Sequence, residues 1–188
     1  MPSPSGKGRD PINNYPSSPA CTACLAPENW NRNPSFIDLS GKDPSKAFVE
    51  ALVSACGDRG PVFVYNASFE TARIKGLAKR FSKLKRFLLA INERVVDLLK
   101  IVEQHYYHPS QQGSWSIKKV LPAIAPDLSY EALEGVQDGR MAMNAFLEAI
   151  SPDTAQGRKT QIEQQLLEYC SLDTYAMVRL WQLFTATQ

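Results

Sequence analysis

The sequence predicts a helix-rich α/β fold preceded by a disordered arm, and three features predict it. Pro61-Val-Phe-Val-Tyr65 is a short apolar run bounded by Gly60 and Asn66, as buried parallel strands are. Six or seven other stretches repeat apolar residues at helical spacing. Residues 1–35 show neither period: Pro recurs at 2, 4, 11, 16, 19, 27 and 34 among Ser, Asn and Gly. Such a segment buries too little apolar surface to offset its ordering entropy. The chain therefore divides into an arm over 1–35 and a folded domain over 36–188. A frameshifted or mis-started coding segment is the alternative account of the arm.

Each later element follows from local signals. Phe36-Ile-Asp-Leu39 reads as a second short strand. Asp43 as N-cap and Pro44 at the first helical position open a helix with Phe48, Leu52 and Ala55 on its apolar stripe, ended by Gly57. After the Pro61–Tyr65 strand, helices are expected over 68–81, 84–91 and 95–106. His108-Pro109 to Gly113 is a loop, and Ser116 caps a short helix through Ala123, confined by Pro122 and Pro126. A helix over 137–150 precedes a long one over 160–185, whose apolar side carries Ile162, Leu166, Leu167, Cys170, Ala176, Met177, Leu180 and Phe184. Cys56 and Cys170 sit on apolar faces and read as core residues.

Composition bounds the class. At 188 residues, 44% hydrophobic and 21% charged, the chain has the length of one domain and enough apolar content for a sizeable core. No apolar run approaches the roughly 18 residues of a membrane span, so no membrane partner is expected. The opening residues lack the apolar stretch of a secretory leader, and four cysteines in this length do not read as a disulfide framework; the cytoplasm is the expected location. Charge is uneven beneath a net +2: residues 71–100 hold nine bases against two acids, and residues 120–173 nine acids against three bases. Arg73, Lys75, Lys79 and Arg80 could track a phosphate backbone, or simply form a solvated helix face.

Two segments could carry chemistry. In Asn66-Ala-Ser-Phe-Glu70 a carboxylate falls one turn beyond a strand's C-terminal end, where open α/β sheets bind ligands. Asn66 can cap the helix and Phe69 can pin it to the sheet; equally, Glu70 is an ordinary first-turn acid favoured by the helix dipole. In Tyr169-Cys-Ser-Leu-Asp173 the phenol and carboxylate share one helix face, or Asp173 merely caps a restart.

In this order the two segments resemble motifs of the DEDD superfamily of 3′–5′ exonucleases, on a ribonuclease H-like fold. Asn66-Ala-Ser-Phe-Glu70 is similar to its Asn-x-x-[Phe/Tyr]-Asp motif with Glu for Asp. Tyr169-Cys-Ser-Leu-Asp173 matches the Tyr-x-x-x-Asp motif of its tyrosine subclass. Arg94-Val-Val-Asp97-Leu-Leu looks like the hydrophobic-Asp-[Thr/Leu]-Leu stretch after the middle motif. A closer resemblance, over about residues 35–185, is to an uncharacterised bacterial family, domain of unknown function 2779. It rests on Phe36-Ile-Asp-Leu-Ser, Tyr65-Asn-Ala-Ser-Phe-Glu, Tyr106-Tyr-His-Pro, Gly113-Ser-Trp-Ser-Ile-Lys, Leu121-Pro-Ala, Asp138-Gly and Tyr169-Cys-x-x-Asp-Thr.

The resemblance implies hydrolysis of nucleic-acid phosphodiesters, with DNA or RNA as partner and Mg²⁺ or Mn²⁺ as cofactor. Glu70 and Asp173 would be metal ligands and catalytic residues, Tyr169 would position the attacking water, and Asn66 would hold the strand–helix junction or touch substrate. The superfamily's leading Asp-x-Glu is absent: no Asp here is followed two residues later by Glu. Two carboxylates cannot tightly hold two ions about 3.5–4 Å apart that also face phosphate. The expectation is an incomplete ribonuclease H-like domain lacking its leading strands, weakly active or inactive alone. A second polypeptide carrying the missing front is the other implied partner. Readings of different class are a non-catalytic nucleic-acid-binding or interaction module using residues 73–100, and a gene fragment that does not fold stably.

Zinc and redox sites fare worse. Cys21-x-x-Cys24 has no second Cys pair in finger range, and His105 and His108 are the only histidines. Tyr106, Tyr107 and Trp115 either stack on bases or pack on their own core.

Overall fold

The computed structural model describes residues 36–185. The arm expected over 1–35, with Cys21 and Cys24, lies outside them. The order is α1 (Ser45–Cys56), β1 (Val62–Val64), α2 (Ala67–Arg80), α3 (Lys85–Glu93), β2 (Val95–Asp97), α4 (Leu98–His105), α5 (Ile117–Ile124), α6 (Gly139–Ile150) and α7 (Gln156–Thr185). Three single-turn 3₁₀ segments, Ser82–Leu84, Pro109–Gln111 and Tyr130–Ala132, link them. The result is helix-rich with one small parallel sheet: β1 pairs with β2, Val62 opposite Val95 and Val64 opposite Asp97.

Two strands were expected, and the second is not the expected one. Phe36–Leu39 has no regular structure among the described residues. Its side chains are nonetheless used, Phe36 edge-on to Phe48 at 5.8 Å and Ile37 and Leu39 against the α5–α7 core. With no strand beside it, the segment gains burial without a hydrogen-bond ladder. Conversely, the helix expected over 95–106 begins only at Leu98, because Asp97 ends the Val-Val pair as a strand and accepts from Leu99 N at 3.1 Å as N-cap. The last helix starts at Gln156 rather than Thr160. Gly157 weakens its first turn on paper, but the Arg158 guanidinium clamps it bidentately to Glu148 of α6 at 2.7 and 3.1 Å.

Three clusters make the core. One joins α1, β1, α2 and α3 through Val49, Leu52, Val62, Val64, Ile74 and Leu88. A second joins α5, α6 and the first half of α7 through Leu121, Ala149, Ile162 and Leu166. The third, Leu98, Val102, Val120, Met177 and Leu180 with Phe63 and Tyr65 against it, joins the sheet to the second half of α7. Cys56 and Cys170 are buried in separate clusters as expected of core residues. Both are also disulfide-bonded, which the cysteine count does not lead one to expect. No helix of the described residues is long and apolar enough to cross a membrane.

Arg94, counted in the sequence among the charges of a basic stretch, acts on backbone. Its guanidinium donates to the carbonyls of Cys56 and Gly57 (3.1 and 2.8 Å), where α1 ends, and of Arg59 and Gly60 (2.6 and 2.8 Å), before β1. One cation thus satisfies orphan helix carbonyls and fixes the turn that feeds the strand. Arg94→Ala is expected to destabilise the fold by about 2 kcal/mol, hydrogen bonds to charged groups being worth roughly 1.5–3 kcal/mol. Arg94→Lys should restore little, lacking the planar fork; urea unfolding of both variants checks this.

Candidate functional site

Strand β1 ends where the sequence turns polar, and its C-terminal end opens into a cavity of about 190 Å³. Phe63, Val64 and Tyr65 of the β1 end, Glu70 of α2, Ile117 of α5 and Tyr169, Asp173 and Met177 of α7 line it. Glu70, Tyr169 and Asp173 come from segments a hundred residues apart, and the fold brings all three to one cavity. The third core cluster does this, since Leu180 and Met177 seat α7 against the sheet just beyond Asp173.

The junction that aims Glu70 is built by a residue the motif does not include. Asn66 is the residue before α2, but it takes a left-handed conformation (φ 69°) and its side chain makes no cap bond, accepting instead from Ser68 Oγ at 2.8 Å. The cap comes across the sheet. Asp97 accepts from Asn66 N (3.0 Å) and Ala67 N (3.1 Å) as well as from Leu99 N, so one carboxylate ends β2, starts α4 and starts α2. Phe69 does not pin the helix to the sheet: it is 44% exposed, with the Arg73 guanidinium 5.0 Å from its ring centre.

The two carboxylates differ in their surroundings. Glu70 Oε2 is buried without a hydrogen-bond partner. Burial raises the Glu70 proton affinity above the usual carboxylate range, its own backbone N–H works against this, and the Asp97 charge adds to the rise. Asp173 is raised by burial as well, against hydrogen bonds from the Tyr130 and Tyr169 phenols and the Lys118 charge. Both phenols are held well above their ordinary range, by burial first and the Asp173 charge second, so each stays a donor. Carboxylates perturbed by desolvation inside a cleft mark a candidate functional site.

Among the described residues no group of three or more His, Cys, Asp or Glu stands together as a metal site. Asp38, the acid of the leading apolar segment, turns back on Ser40 N at 2.8 Å and does not line the cavity.

The basic residues divide. Arg73, Lys75 and Lys79 are exposed along α2. Arg80 ties α2 to the start of α1, donating to the Asp43 carboxylate and to Ser45 Oγ (3.0 Å). Asp43, bonded by the Ser45 hydroxyl and backbone N–H and by Arg80, is lowered to about 2. Of the aromatic trio, Tyr106 packs on the third cluster with Trp115, whereas Tyr107 is 59% exposed against the edge of Trp115.

Sequence reasoning missed two residues. Asp97 was visible as part of a resemblance but carried no role. Tyr130 carried no signal: it sits in a one-turn 3₁₀ segment without period, and its hydroxyl donates to Asp173 Oδ1 at 2.6 Å.

A family model described as Domain of unknown function (DUF2779) matches residues 4–116, more than half of the chain. The chain belongs to this family. The DUF2779 match takes in β1, β2, Asn66, Glu70 and Asp97 and stops before α5, so Tyr169 and Asp173 reach the cavity from beyond it. It also begins inside the segment read as an arm. No curated protein and no solved structure matches the chain.

Proposed function

We propose that this protein descends from a metal-dependent 3′–5′ exonuclease of the DEDD type and keeps the rear half of that site, with weak or no phosphodiesterase activity of its own. One observation carries the reading: Glu70, Tyr169 and Asp173, paired by motif alone, line a single cavity at the end of a parallel strand. The β1–β2 pair with a helical crossover agrees with the rear of a ribonuclease H-like sheet.

The donor set fits one divalent ion and not two. Glu70 offers a buried oxygen with no partner and Asp173 faces the same space. Mg²⁺ or Mn²⁺ is commonly held by one or two carboxylates with waters and substrate phosphate. A second ion would need further acids, and Asp97 is committed to three backbone N–H groups. Bound, such an ion neutralises charge on phosphate oxygens. The chain's own residues do the rest: Glu70 and Asp173 would hold the ion, and the Tyr169 hydroxyl, its O–H donating to Asp173, would accept from a water at the cavity wall. Phe63, Ile117 and Met177 supply the apolar part of the lining.

The test is cleavage of end-labelled single-stranded DNA and RNA with Mn²⁺. The expected result is slow or absent trimming, with any activity lost in Glu70→Gln and Asp173→Asn. Vigorous cleavage abolished in both variants overturns the weak-activity reading; cleavage that persists in both overturns the site. A second reading, a non-catalytic nucleic-acid-binding module, is favoured by the exposed Phe69–Arg73 stack beside Lys75 and Lys79. Salt-sensitive binding without cleavage, lost on replacing Arg73, Lys75 and Lys79 together, supports it.

A further inference from the structure

The stretch between α5 and α6 has no helical period, yet it is held together by more specific bonds than a passive loop needs. Ser129 Oγ accepts from Glu131 N at 3.1 Å and starts the 3₁₀ turn of Tyr130. Gln137 Nε2 reaches back to the carbonyls of Glu131 (3.1 Å) and Leu133 (2.9 Å). Lys118 of α5 donates to the Gln137 carbonyl at 2.7 Å and places its ammonium 5.4 Å from the Tyr130 ring centre. Gly135 takes a positive φ of 79°, and the Gln165 side chain of α7 fills the space a Cβ there would need. One side chain of this stretch reaches Asp173. Tyr130 is 5% exposed, its ring lies 6.0 Å from that of Tyr169, and its hydroxyl meets Asp173 Oδ1 at 2.6 Å.

We propose that Tyr130 is a positioning residue for Asp173: its O–H fixes the rotation of the carboxylate at the cavity wall, and Lys118 with the Gln137 tether fixes Tyr130. Asp173 projects from α7 and receives the Tyr169 phenol of its own helix; the Tyr130 bond is the contact from outside that helix that limits its broad terminal torsion. Groups that hold a ligating carboxylate by hydrogen bond set how well it receives a cation, and losing one costs about 10- to 100-fold in metal affinity. The inference rests on the reading of the cleft as a cation site.

Mn²⁺ binding to the full chain, followed by the electron paramagnetic resonance signal of free Mn²⁺ at constant pH, tests it. Tyr130→Phe keeps the ring and removes only the hydroxyl; it should weaken Mn²⁺ binding at least about tenfold with circular dichroism unchanged. Unaltered affinity in folded Tyr130→Phe overturns the role of Tyr130 while leaving the cation site standing. Should Tyr130→Phe not fold, Lys118→Met decides: weaker binding supports the positioning relay and wild-type affinity overturns it. If the wild-type chain binds no Mn²⁺, the reading of the cleft fails and this inference with it.

Discussion

Asp97→Ala should lower stability by about 2–3 kcal/mol and disorder the Glu70 side of the cleft, a large effect for a half-exposed residue. A lost N-cap typically costs about 0.5–2 kcal/mol, and this carboxylate caps two helices, taking Asn66 N and Ala67 N at the start of α2 and Leu99 N at the start of α4. It is also the residue opposite Val64 in the only strand pair of the described residues, so its bonds join the end of one strand to the exit of the other. Asp97→Asn keeps an accepting oxygen and loses the charge, and should fall between the two. Because the Asp97 charge contributes to the raised proton affinity of Glu70, Asp97→Asn should also bring Glu70 back toward the ordinary carboxylate range. Urea unfolding reads the first effect and carboxyl-carbon NMR of Glu70 the second. Wild-type stability in Asp97→Ala would mean that α2 is held from elsewhere.

Replacing Asp173 by Asn should make the protein progressively more stable than its parent as pH rises. Burial raises the Asp173 proton affinity despite bonds from Tyr130 and Tyr169 and the Lys118 charge, and burial raises Glu70 likewise. Below the ordinary carboxylate value both folded and unfolded chains hold the proton, and pH has no leverage. Between that value and the raised one the folded chain keeps a proton that the unfolded chain has released, so stability falls with increasing pH. Each tenfold gain in proton affinity corresponds to about 1.4 kcal/mol. Asp43, lowered to about 2, acts in the opposite sense, so the difference between variant and parent, rather than either curve alone, isolates Asp173. Thermal melts from acid to mildly alkaline pH should show a gap that opens above the ordinary carboxylate range and levels off once the folded chain has also ionised. A gap that stays constant or narrows contradicts the burial of an ionisable Asp173.

Such half-buried carboxylates are costly to a fold that does not use them, and they were also the most legible part of the site. Glu70 and Asp173 each lie at a fixed offset from a strong pattern, an apolar strand end in one case and a long helical stripe in the other, and their alignment needs only those two elements in register. Strand β2 was hidden because three residues, two of them Val, give no period, and the helix that follows lends them its own. Phe36–Leu39 misled for the opposite reason: a short, mostly apolar run marks side chains that can be buried, whereas a strand also needs a neighbour to bond. Arg94 and Tyr130 act through contacts remote in sequence, Arg94 on carbonyls more than thirty residues away and Tyr130 on a carboxylate 43 positions on. Composition counted one as surface charge and passed over the other, since neither a guanidinium's backbone partners nor a phenol in an irregular turn leaves a trace in periodicity.

The proposed sharing of one divalent ion by Glu70 and Asp173 is the point on which the functional reading turns. Calorimetric titration of Mn²⁺ into the full chain, beside Glu70→Gln and Asp173→Asn, measures it directly. A single weak site per chain, lost in each variant, is the predicted result. Two sites, or a site indifferent to both substitutions, would contradict it.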